Sequence, residues 1–413
     1  MKRGLLLFLG IFLAIDIYFY QGIKTIIAPL QPGLRTTIYL VYAVFVIIRL
    51  VGLFAYIELR WGFRNRFIKY GVLPTWFMKY IVKLFSGFFL LVDDISRLAK
   101  WVLYKVGYLF NYTWADTMAM PRSVVLTKVG MLAASVPIAT LGYGIISGAH
   151  DYRVRKVRIK LPHLPTSFHG LKIGQLSDIH SGSFFNKKAV SGGIDMLLRE
   201  RPDVIFFTGD LVNDTADEVK EYIPIFSQIK APLGVYSTLG NHDYGDYTSW
   251  TSLVAKQQNL QDLCKAHELL GWRLLRNEHT ILTQGDDKLA IIGVENWGLR
   301  FSQYGQLSKA YQGAVDAPVK LLLSHDPSHW DAEVRPKFGD IDVTFAGHTH
   351  GFQFGIEIGS FKWSPVQYQY KQWAGLYQEG NQYLYVNRGF GYIGYPGRIG
   401  ILPELTIMEL EKG

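Results

Sequence analysis

The sequence of 413 residues has a single cysteine, Cys264, and lacks a glycine-rich nucleotide-binding fingerprint. One cysteine excludes an intrachain disulfide and any metal site built from several thiolates. This fits the cytoplasm without excluding an exported domain. Internal repeats and low-complexity segments are also absent. With 49% hydrophobic residues, the chain is long enough to bury a large core in more than one domain.

The two parts of the chain differ in charge. The net charge of the whole sequence is +9, but residues 1–160 carry +15 and residues 161–413 carry −6. The positive charge therefore belongs to the N-terminal part, and the C-terminal part is mildly acidic. This balance does not indicate a basic groove for a nucleic-acid backbone, and we expect no nucleic-acid partner.

The N-terminal part contains four apolar segments that are candidate membrane spans: residues 4–23, 38–59, 72–92 and 124–147. The first has no small-residue cleavage site after it and is followed closely by the second, so it reads as a retained span rather than a signal peptide. The third is interrupted by Lys79 and Lys83. We predict a multi-span membrane domain of about four transmembrane helices over residues 1–150.

An amphipathic segment separates the third and fourth candidates. Its apolar residues recur at helical spacing and are Ile95, Leu98, Val102, Val106 and Leu109. The pattern fits a helix that lies in the membrane surface, in contact with membrane lipids, and equally an amphipathic helix packed on the bundle.

Basic residues near the spans give the orientation. They follow the second and fourth spans and are Arg60, Arg64, Arg66, Lys69, Arg153, Arg155, Lys156, Arg158 and Lys160. With four spans, both basic segments and the N-terminus face the cytoplasm, whereas with three spans the last basic segment would lie outside, against this rule. We therefore expect a multi-pass protein of the cell membrane whose C-terminal domain, residues 151–413, is cytoplasmic.

Two charged residues lie near the middle of the first two spans. Asp16 and Arg49 have similar predicted depths, and a lone charge at such a position usually marks a partner or a function. The prediction is an intramembrane ion pair between them. The alternative is that each contacts water, lipid headgroups or another helix.

After residue 161 the pattern becomes that of a layered α/β domain. Helical stretches, including 197–201 and 254–270, alternate with short apolar runs that end in polar residues. The predicted strands are LKIGQLSD, DVIFFTGD, GVYSTLGN, KLAIIGVE, VKLLLSHD and DVTFAGHT.

The ends of five of these runs share metal-binding chemistry, since ligand sites in α/β sheets form where strand ends converge. The oxygen and nitrogen donors are Asp178, His180, Asp210, Asn241, His325, His348 and His350, and His242 lies beside them. Seven side chains are too many for one tetrahedral zinc. They suit two divalent ions that share a carboxylate, and the mixed donors favour manganese, iron or zinc.

The order of these motifs, DxH, GD, GNHD, a lone His and GHxH, resembles the calcineurin-like metallophosphoesterase superfamily over about residues 170–410. The resemblance implies a four-layer α/β/β/α sandwich with a dimetal site. It assigns Asp178, His180 and His350 to one ion. It assigns Asn241, His325 and His348 to the other, with Asp210 as the bridge.

The same resemblance places His242 beside the substrate phosphate, as proton donor to the leaving group or as charge stabiliser. The family usually has GDxxD, whose last Asp supports this histidine, whereas here the position holds Asn213, followed by Asp214. The ending NRGFGYIGYPGRIGILPEL resembles the membrane-anchored branch that includes UDP-2,3-diacylglucosamine pyrophosphatase-like enzymes.

The leading hypothesis is a membrane-anchored dimetal phosphoesterase that hydrolyses a phosphate ester or pyrophosphate by attack of metal-bound hydroxide. Its substrate would be phosphorylated and, because the membrane part exceeds a simple tether, lipid-linked. The alternatives are an enzyme for soluble phosphoesters, a non-catalytic membrane sensor that retains the fold, and a nuclease, which the acidic domain disfavours.

Overall fold

The computed structural model describes residues 2–58, 68, 72–110 and 121–413. The chain divides into two compact units, residues 1–142 and residues 143–413. The first unit is helical and apolar, and the second contains every strand that the structure describes.

The first unit contains three long helices and two shorter ones that follow each other along the chain. They are α1 (Lys2–Ile27), α2 (Pro32–Glu58), α3 (Leu73–Leu109), α4 (Val124–Ala133) and α5 (Ser135–Ile146), the last of which continues into the second unit. Among the described residues, three stretches are long and apolar enough to cross a membrane: Gly4–Ile27, Pro32–Ile57 and Val124–His150. They coincide with the first, second and fourth predicted spans.

The helix α3 departs from the expected pattern. We expected a span over 72–92 and a separate amphipathic helix after it, but α3 is one continuous helix of 37 residues. It is not among the three candidate spans found in the described residues. The basic segment Arg60, Arg64, Arg66 and Lys69, on which the predicted orientation partly depended, lies outside the described residues.

The predicted ion pair between Asp16 and Arg49 is wrong. Asp16 is paired with Lys83 of α3, and the two side chains are 1% and 7% exposed. Tyr80 donates a further hydrogen bond to the Asp16 carboxylate at 2.8 Å. The guanidinium of Arg49 lies over the ring of Phe45, 5.5 Å from its centroid. The similar depths of Asp16 and Arg49 suggested the wrong pair, because the cation nearest to Asp16 comes from α3 rather than from α2.

The second unit contains two six-stranded sheets and a short hairpin. The first sheet has the order β1-β14-β2-β3-β4-β5, the second has the order β12-β13-β9-β8-β7-β6, and β10 pairs with β11. Both sheets have parallel centres: β2 pairs with β3 and β3 with β4 in the first, and β7 pairs with β8 and β8 with β9 in the second. In each sheet the carboxyl ends of these central strands therefore lie along one edge.

The strands of this unit have the following bounds. They are β1 (Arg153–Leu161), β2 (Lys172–Leu176), β3 (Val204–Phe207), β4 (Val235–Ser237), β5 (Arg273–Leu274), β6 (Glu278–Gln284), β7 (Asp287–Gly293), β8 (Lys320–Leu323), β9 (Val343–Ala346), β10 (Ile356–Ile358), β11 (Phe361–Trp363), β12 (Gly375–Glu379), β13 (Gln382–Val386) and β14 (Glu404–Lys412).

Three hydrophobic cores define four layers. Ile173, Phe206 and Phe345 belong to the core between the two sheets. A second core joins the other face of the first sheet to its helices, and a third does the same for the second sheet. The helices are α6 (Lys187–Arg199), α7 (Ile223–Phe226), α8 (Leu253–Leu270), α9 (Leu307–Tyr311) and α10 (Arg335–Lys337). This confirms the predicted α/β/β/α sandwich.

The basic segment 153–160 is part of β1 rather than a loop beside the membrane. Arg155 pairs with Glu357 at 2.6 Å, Lys156 with Glu200 at 2.5 Å, and Arg158 with Glu409 at 3.6 Å. These charges are largely balanced inside the folded unit, so they carry less weight for membrane orientation than a free basic loop would.

Candidate metal centre

The predicted donors follow the strands that the two sheets align. Asp178 and His180 come after β2, Asp210 after β3, and Asn241 and His242 after β4, all in the first sheet. His325 follows β8, and His348 and His350 follow β9, in the second sheet. Because the carboxyl ends of parallel strands share an edge, two sheets packed face to face bring both groups of donors together.

The backbone at these donors is unusual. Asp178, His180, Asp210, His348 and His350 all have positive φ, between 50° and 69°. Residues other than glycine adopt this left-handed region rarely, and such conformations concentrate at functional sites. Each donor thereby leaves the strand direction at once and turns its side chain into the space beyond the sheet edge.

Glycines allow the donor loops to approach one another. A Cβ on Gly240 would collide with the carboxylate of Asp210, and one on Gly347 would collide with Ser177 and Asp178. The glycines of the GNHD and GHTH motifs are therefore needed for close packing of backbone against donor side chains.

The first cluster consists of Asp178, His180 and His350, which are buried and offer ligand atoms within 4.8 Å of one another. Nε2 of His180 lies 3.0 Å from Nε2 of His350, and Nε2 of His350 lies 3.2 Å from Oδ1 of Asp178. The second cluster contains Asp210, His325 and His348.

Asn241 completes the second cluster. Nδ1 of His348 lies 2.8 Å from Oδ1 of Asn241 and 3.3 Å from Nε2 of His325. Oδ2 of Asp210 is 3.2 Å from Nε2 of His325 and 3.5 Å from Nε2 of His180 in the first cluster. One oxygen of Asp210 thus lies beside both clusters.

These separations fit cation binding. Donors held around an ion at about 2.0–2.2 Å lie roughly 2.9–3.6 Å apart in tetrahedral or octahedral shells. The observed 2.8–3.5 Å between donor atoms matches this range closely. Several carboxylate and imidazole lone pairs aimed at one small volume repel one another unless cations or protons separate them.

Neighbouring groups hold the donors in ligand-ready orientations. Nδ1 of His325 is 2.7 Å from the carbonyl oxygen of Thr208, which leaves Nε2 free to bind. Nε2 of His348 is 2.8 Å from the hydroxyl of Tyr370 and 3.6 Å from Asp326, so Nδ1 faces the cluster. Such outer contacts fix the ring orientation and raise the basicity of a ligating histidine.

Two further residues organise the loops. The amide of Asn241 donates to the hydroxyl of Tyr247 at 2.9 Å, which turns Oδ1 of Asn241 towards His348. The buried carboxylate of Asp243 accepts from the backbone N–H of Gly240 at 2.8 Å and of Asp210 at 2.9 Å. Asp243 therefore ties the loop after β4 to the loop after β3.

His242 stands at the edge of the cluster and is partly exposed. Its Nδ1 lies 2.8 Å from the backbone carbonyl of Asn213, whereas the Asn213 side chain donates to Ser183 at 2.9 Å. The sequence suggested that the Asn213 side chain would hold His242, but the main chain of Asn213 does so instead. A carbonyl orients an imidazole, but it stabilises imidazolium less than a carboxylate does.

The charges in the cluster oppose one another strongly. Burial opposes ionisation of Asp210, but the charges of His325 and His242 hold the pKa of its carboxyl well below its usual range. Burial also opposes protonation of His325, yet the charge and hydrogen bond of Asp210 raise its pKa to about 10.

A cavity of about 300 Å³ opens onto the donors. Its lining includes His180, Asp210, Asn241, His242, His348 and His350, together with residues that sequence reasoning missed: Tyr247, Arg300, Phe301 and Tyr370. Arg300 brings a positive charge to this lining. The aromatic residues follow no strand, so no strand-end pattern marks them, whereas Asp326 and Asp243 stand directly after the predicted motif histidines.

Comparison with known proteins agrees with this architecture. Residues 2–149 match the family model described as "Probable Calcineurin-like phosphoesterase, transmembrane domain", and residues 171–352 match "Calcineurin-like phosphoesterase". The uncharacterized metallophosphoesterase YkuE of Bacillus subtilis is 30% identical over 300 residues, which cover 70% of this chain and 97% of that protein.

Two other relatives show the same combination or a named activity. A Danio rerio transmembrane protein with metallophosphoesterase domain is 28% identical, over 68% of this chain and 62% of its own length. The phosphodiesterase YaeI of Escherichia coli is 25% identical, over 67% of this chain and 96% of its own length.

The chain belongs to the calcineurin-like metallophosphoesterases and carries the transmembrane domain found in part of that family. It is a metal-dependent hydrolase of phosphoester bonds that is associated with a membrane. Enzymes of this family use two divalent metal ions, and the two clusters provide a place for each.

Proposed function

We propose that Asp178, His180 and His350 hold one divalent ion, that Asn241, His325 and His348 hold the second, and that Asp210 bridges them. The observation that carries this proposal is the position of Oδ2 of Asp210, 3.5 Å from His180 and 3.2 Å from His325. Manganese, iron and zinc all accept such mixed oxygen and nitrogen donors.

Two ions bound here would supply a water of lowered pKa and a clamp for the phosphoryl oxygens. The residues of the chain bind and orient the substrate around them. Arg300 balances the charge of the phosphate, and the rings of Tyr247 and Phe301 border the group esterified to it. His242, whose Nδ1 is anchored on Asn213, presents its other ring nitrogen as proton donor or charge stabiliser for the leaving group.

For the substrate we propose a phosphodiester or a pyrophosphate that is linked to a lipid. The membrane unit of about 140 residues supports a substrate taken from the bilayer, since one helix suffices to anchor an enzyme. The Escherichia coli relative is named a phosphodiesterase, which supports a diester. The C-terminal resemblance to enzymes that cleave UDP-2,3-diacylglucosamine supports the pyrophosphate.

The experiment is a side-by-side assay of the purified full chain with Mn²⁺. The substrates are a bis-aryl phosphodiester, an aryl phosphomonoester and UDP-2,3-diacylglucosamine. Turnover of the lipid-linked pyrophosphate that greatly exceeds turnover of both aryl esters supports the lipid-linked substrate. Turnover of the aryl diester alone shows an enzyme for soluble esters. No turnover of any of the three substrates, with Mn²⁺ or with Fe²⁺ or Zn²⁺ in its place, contradicts the proposed substrates.

We also propose that the membrane domain ends near residue 150 and that the catalytic domain, residues 151–413, faces the cytoplasm from a multi-pass anchor. The basic residues after the second span support this side.

A further inference from the structure

The first unit contains a cavity that has no part in the metal centre. Its volume is about 520 Å³, and it lies among α1, α2, α3 and α5. Its lining is mostly apolar and includes Phe19, Ile23, Val41, Phe45 and Ile138. Three cations also line it, namely Arg49, Lys79 and Lys83, and the lining contains no carboxylate among the described residues.

Among the described residues, one of these three cations has an acidic partner. Lys83 pairs with Asp16, which lies behind the lining. Within the part of the chain that the structure describes, Arg49 and Lys79 form no ion pair, and Arg49 contacts only an aromatic ring. Two uncompensated positive charges in an apolar helical unit are costly, and charges in such a place usually have a ligand or a partner.

The cations lie at similar depths. Arg49 is eight residues before the end of the Pro32–Ile57 span, and Lys79 is six residues after the start of α3. At about 1.5 Å per residue these positions are roughly 12 Å and 9 Å from the helix ends that the segment 59–71 connects. That depth is close enough to the membrane surface for an anionic headgroup to reach both side chains, since long basic side chains can extend their charged ends towards the surface.

The rim of the cavity identifies the source of the ligand. Val41, Phe45 and Ile138 are 50%, 55% and 58% exposed, so the cavity opens on the outer, apolar surface of the bundle, where acyl chains lie in a membrane. A water-soluble anion would leave this apolar lining uncovered. A phospholipid covers the lining with its chains and balances the cations with its phosphate.

We propose that this cavity binds one membrane phospholipid with an anionic headgroup. Its phosphate contacts Arg49 and Lys79, and its acyl chains cover the apolar lining. Lys83 remains paired with Asp16 and takes no part in binding the headgroup. This inference concerns the membrane unit alone and does not depend on the substrate proposed for the metal centre.

The test is native mass spectrometry of the full chain, purified in detergent with equal amounts of phosphatidylglycerol and phosphatidylcholine. We expect one retained phosphatidylglycerol per chain, preferred at least about tenfold over phosphatidylcholine. The variant Arg49→Gln/Lys79→Gln should lose this preference, and Arg49→Lys should keep it. Lys83 is left unchanged so that its pair with Asp16 persists.

The matched control is Lys100→Gln/Lys128→Gln, which removes the same charge from exposed positions outside the cavity. It should bind lipid like the wild type, and all variants should elute as the wild type does in size-exclusion chromatography. Equal retention of both lipids, or unchanged preference in Arg49→Gln/Lys79→Gln, overturns the proposal. Displacement of the lipid by millimolar glycerol phosphate or inorganic phosphate would show a soluble anion site instead. Should Arg49→Gln/Lys79→Gln fail to elute as folded protein, loss of preference in Arg49→Gln alone decides the matter.

Discussion

Lys83 of α3 forms a buried ion pair with Asp16 of α1, and Tyr80 and Tyr42 donate hydrogen bonds to the same acidic residue. The two lysines that made residues 72–92 a poor candidate span therefore have separate explanations. Lys83 joins two helices of the bundle, and Lys79 lines a cavity.

Breaking this pair should destabilise the membrane unit. Removal of one partner leaves a buried charge uncompensated, at a cost of about 3–5 kcal/mol, whereas replacement of both partners is far less costly. We expect Asp16→Asn or Lys83→Met alone to lower the yield of monodisperse protein from membranes, and the double variant to recover much of it. Fluorescence-detected size-exclusion chromatography measures this yield.

The control is the combination of Asp16→Asn with Arg49→Gln, which should give no recovery because these residues are not paired. Strictly additive losses for Asp16→Asn and Lys83→Met would show that the two side chains do not interact.

Loss of the Asp210 carboxylate should abolish hydrolysis. Because its Oδ2 lies beside both clusters, we expect Asp210→Asn to lower kcat/KM by about three orders of magnitude or more, which corresponds to several kcal/mol of transition-state stabilisation. The exposed Asp217→Asn serves as the control and should retain full activity. Wild-type turnover by folded Asp210→Asn protein would contradict a shared bridging ligand, and metal content by elemental analysis should fall in parallel.

His242 should matter in proportion to the leaving group. A proton donor helps most when the departing oxygen is basic, so His242→Ala should slow alkyl esters far more than aryl esters. The anchoring of His242 on a backbone carbonyl rather than a carboxylate makes the other outcome informative. If aryl and alkyl substrates lose the same factor in kcat/KM, the residue stabilises charge and does not deliver a proton.

The buried His267 should limit stability in acid. Burial lowers its pKa from 6.5 to about 3, and its Nδ1 is 3.0 Å from the hydroxyl of Ser237. Below about pH 6.5, His267 binds a proton in the unfolded chain, whereas in the folded protein it stays neutral down to a lower pH. Stability from this group is therefore complete above that pH and is lost at about 1.4 kcal/mol per unit as the pH falls towards 3.

We expect His267→Gln to flatten the acid dependence of amide-exchange protection in α8 of the full chain, measured between pH 7 and 4.5. The exposed His163→Gln is the control. A variant whose protection falls as steeply as that of the wild type would remove His267 as the cause.

Membrane orientation is open to a direct measurement. A reporter fused after residue 413 should behave as cytoplasmic, so that a fluorescent protein is bright and an alkaline phosphatase is inactive. An active phosphatase fusion would place the domain on the other side. With the N-terminus in the cytoplasm, it would also show that residues 72–92 do not cross the membrane.

The sequence predicted the central strands well because they are apolar runs with a polar residue at a fixed place. β2, β3, β4, β7, β8 and β9 all coincide with predicted runs. β1 was missed, since RVRKVRIKL carries five basic residues and its pairing with β14 joins segments about 250 residues apart. No local pattern reports such a partner, and the charges of β1 are balanced by acidic residues from other elements.

The donors of the centre were predictable for the same reason as the strands, because they stand at strand ends in the primary structure. The sequence did not predict which neighbouring groups each donor contacts. His242 contacts the backbone carbonyl of Asn213 rather than its side chain. This choice depends on the path of the backbone, which the sequence pattern does not reveal. Tyr247 and Tyr370 reach the site from loops without a periodic pattern, so nothing in the sequence distinguished them from the other aromatic residues.

Each donor cluster draws on both sheets, since His350 joins Asp178 and His180, and His325 and His348 join Asp210 and Asn241. An ion in either cluster would therefore cross-link two sheets that are also joined there by apolar packing and by hydrogen bonds, such as that of Gln175 to the carbonyl oxygen of Ala346. The bonds that would hold the catalytic ions are thus the same bonds that would cross-link the two sheets. Removal of the ions by a chelator should therefore weaken the contact between the sheets before it affects either helical layer. Amide hydrogen exchange should detect the loss of protection first in β3 and β9, which end beside the metal centre.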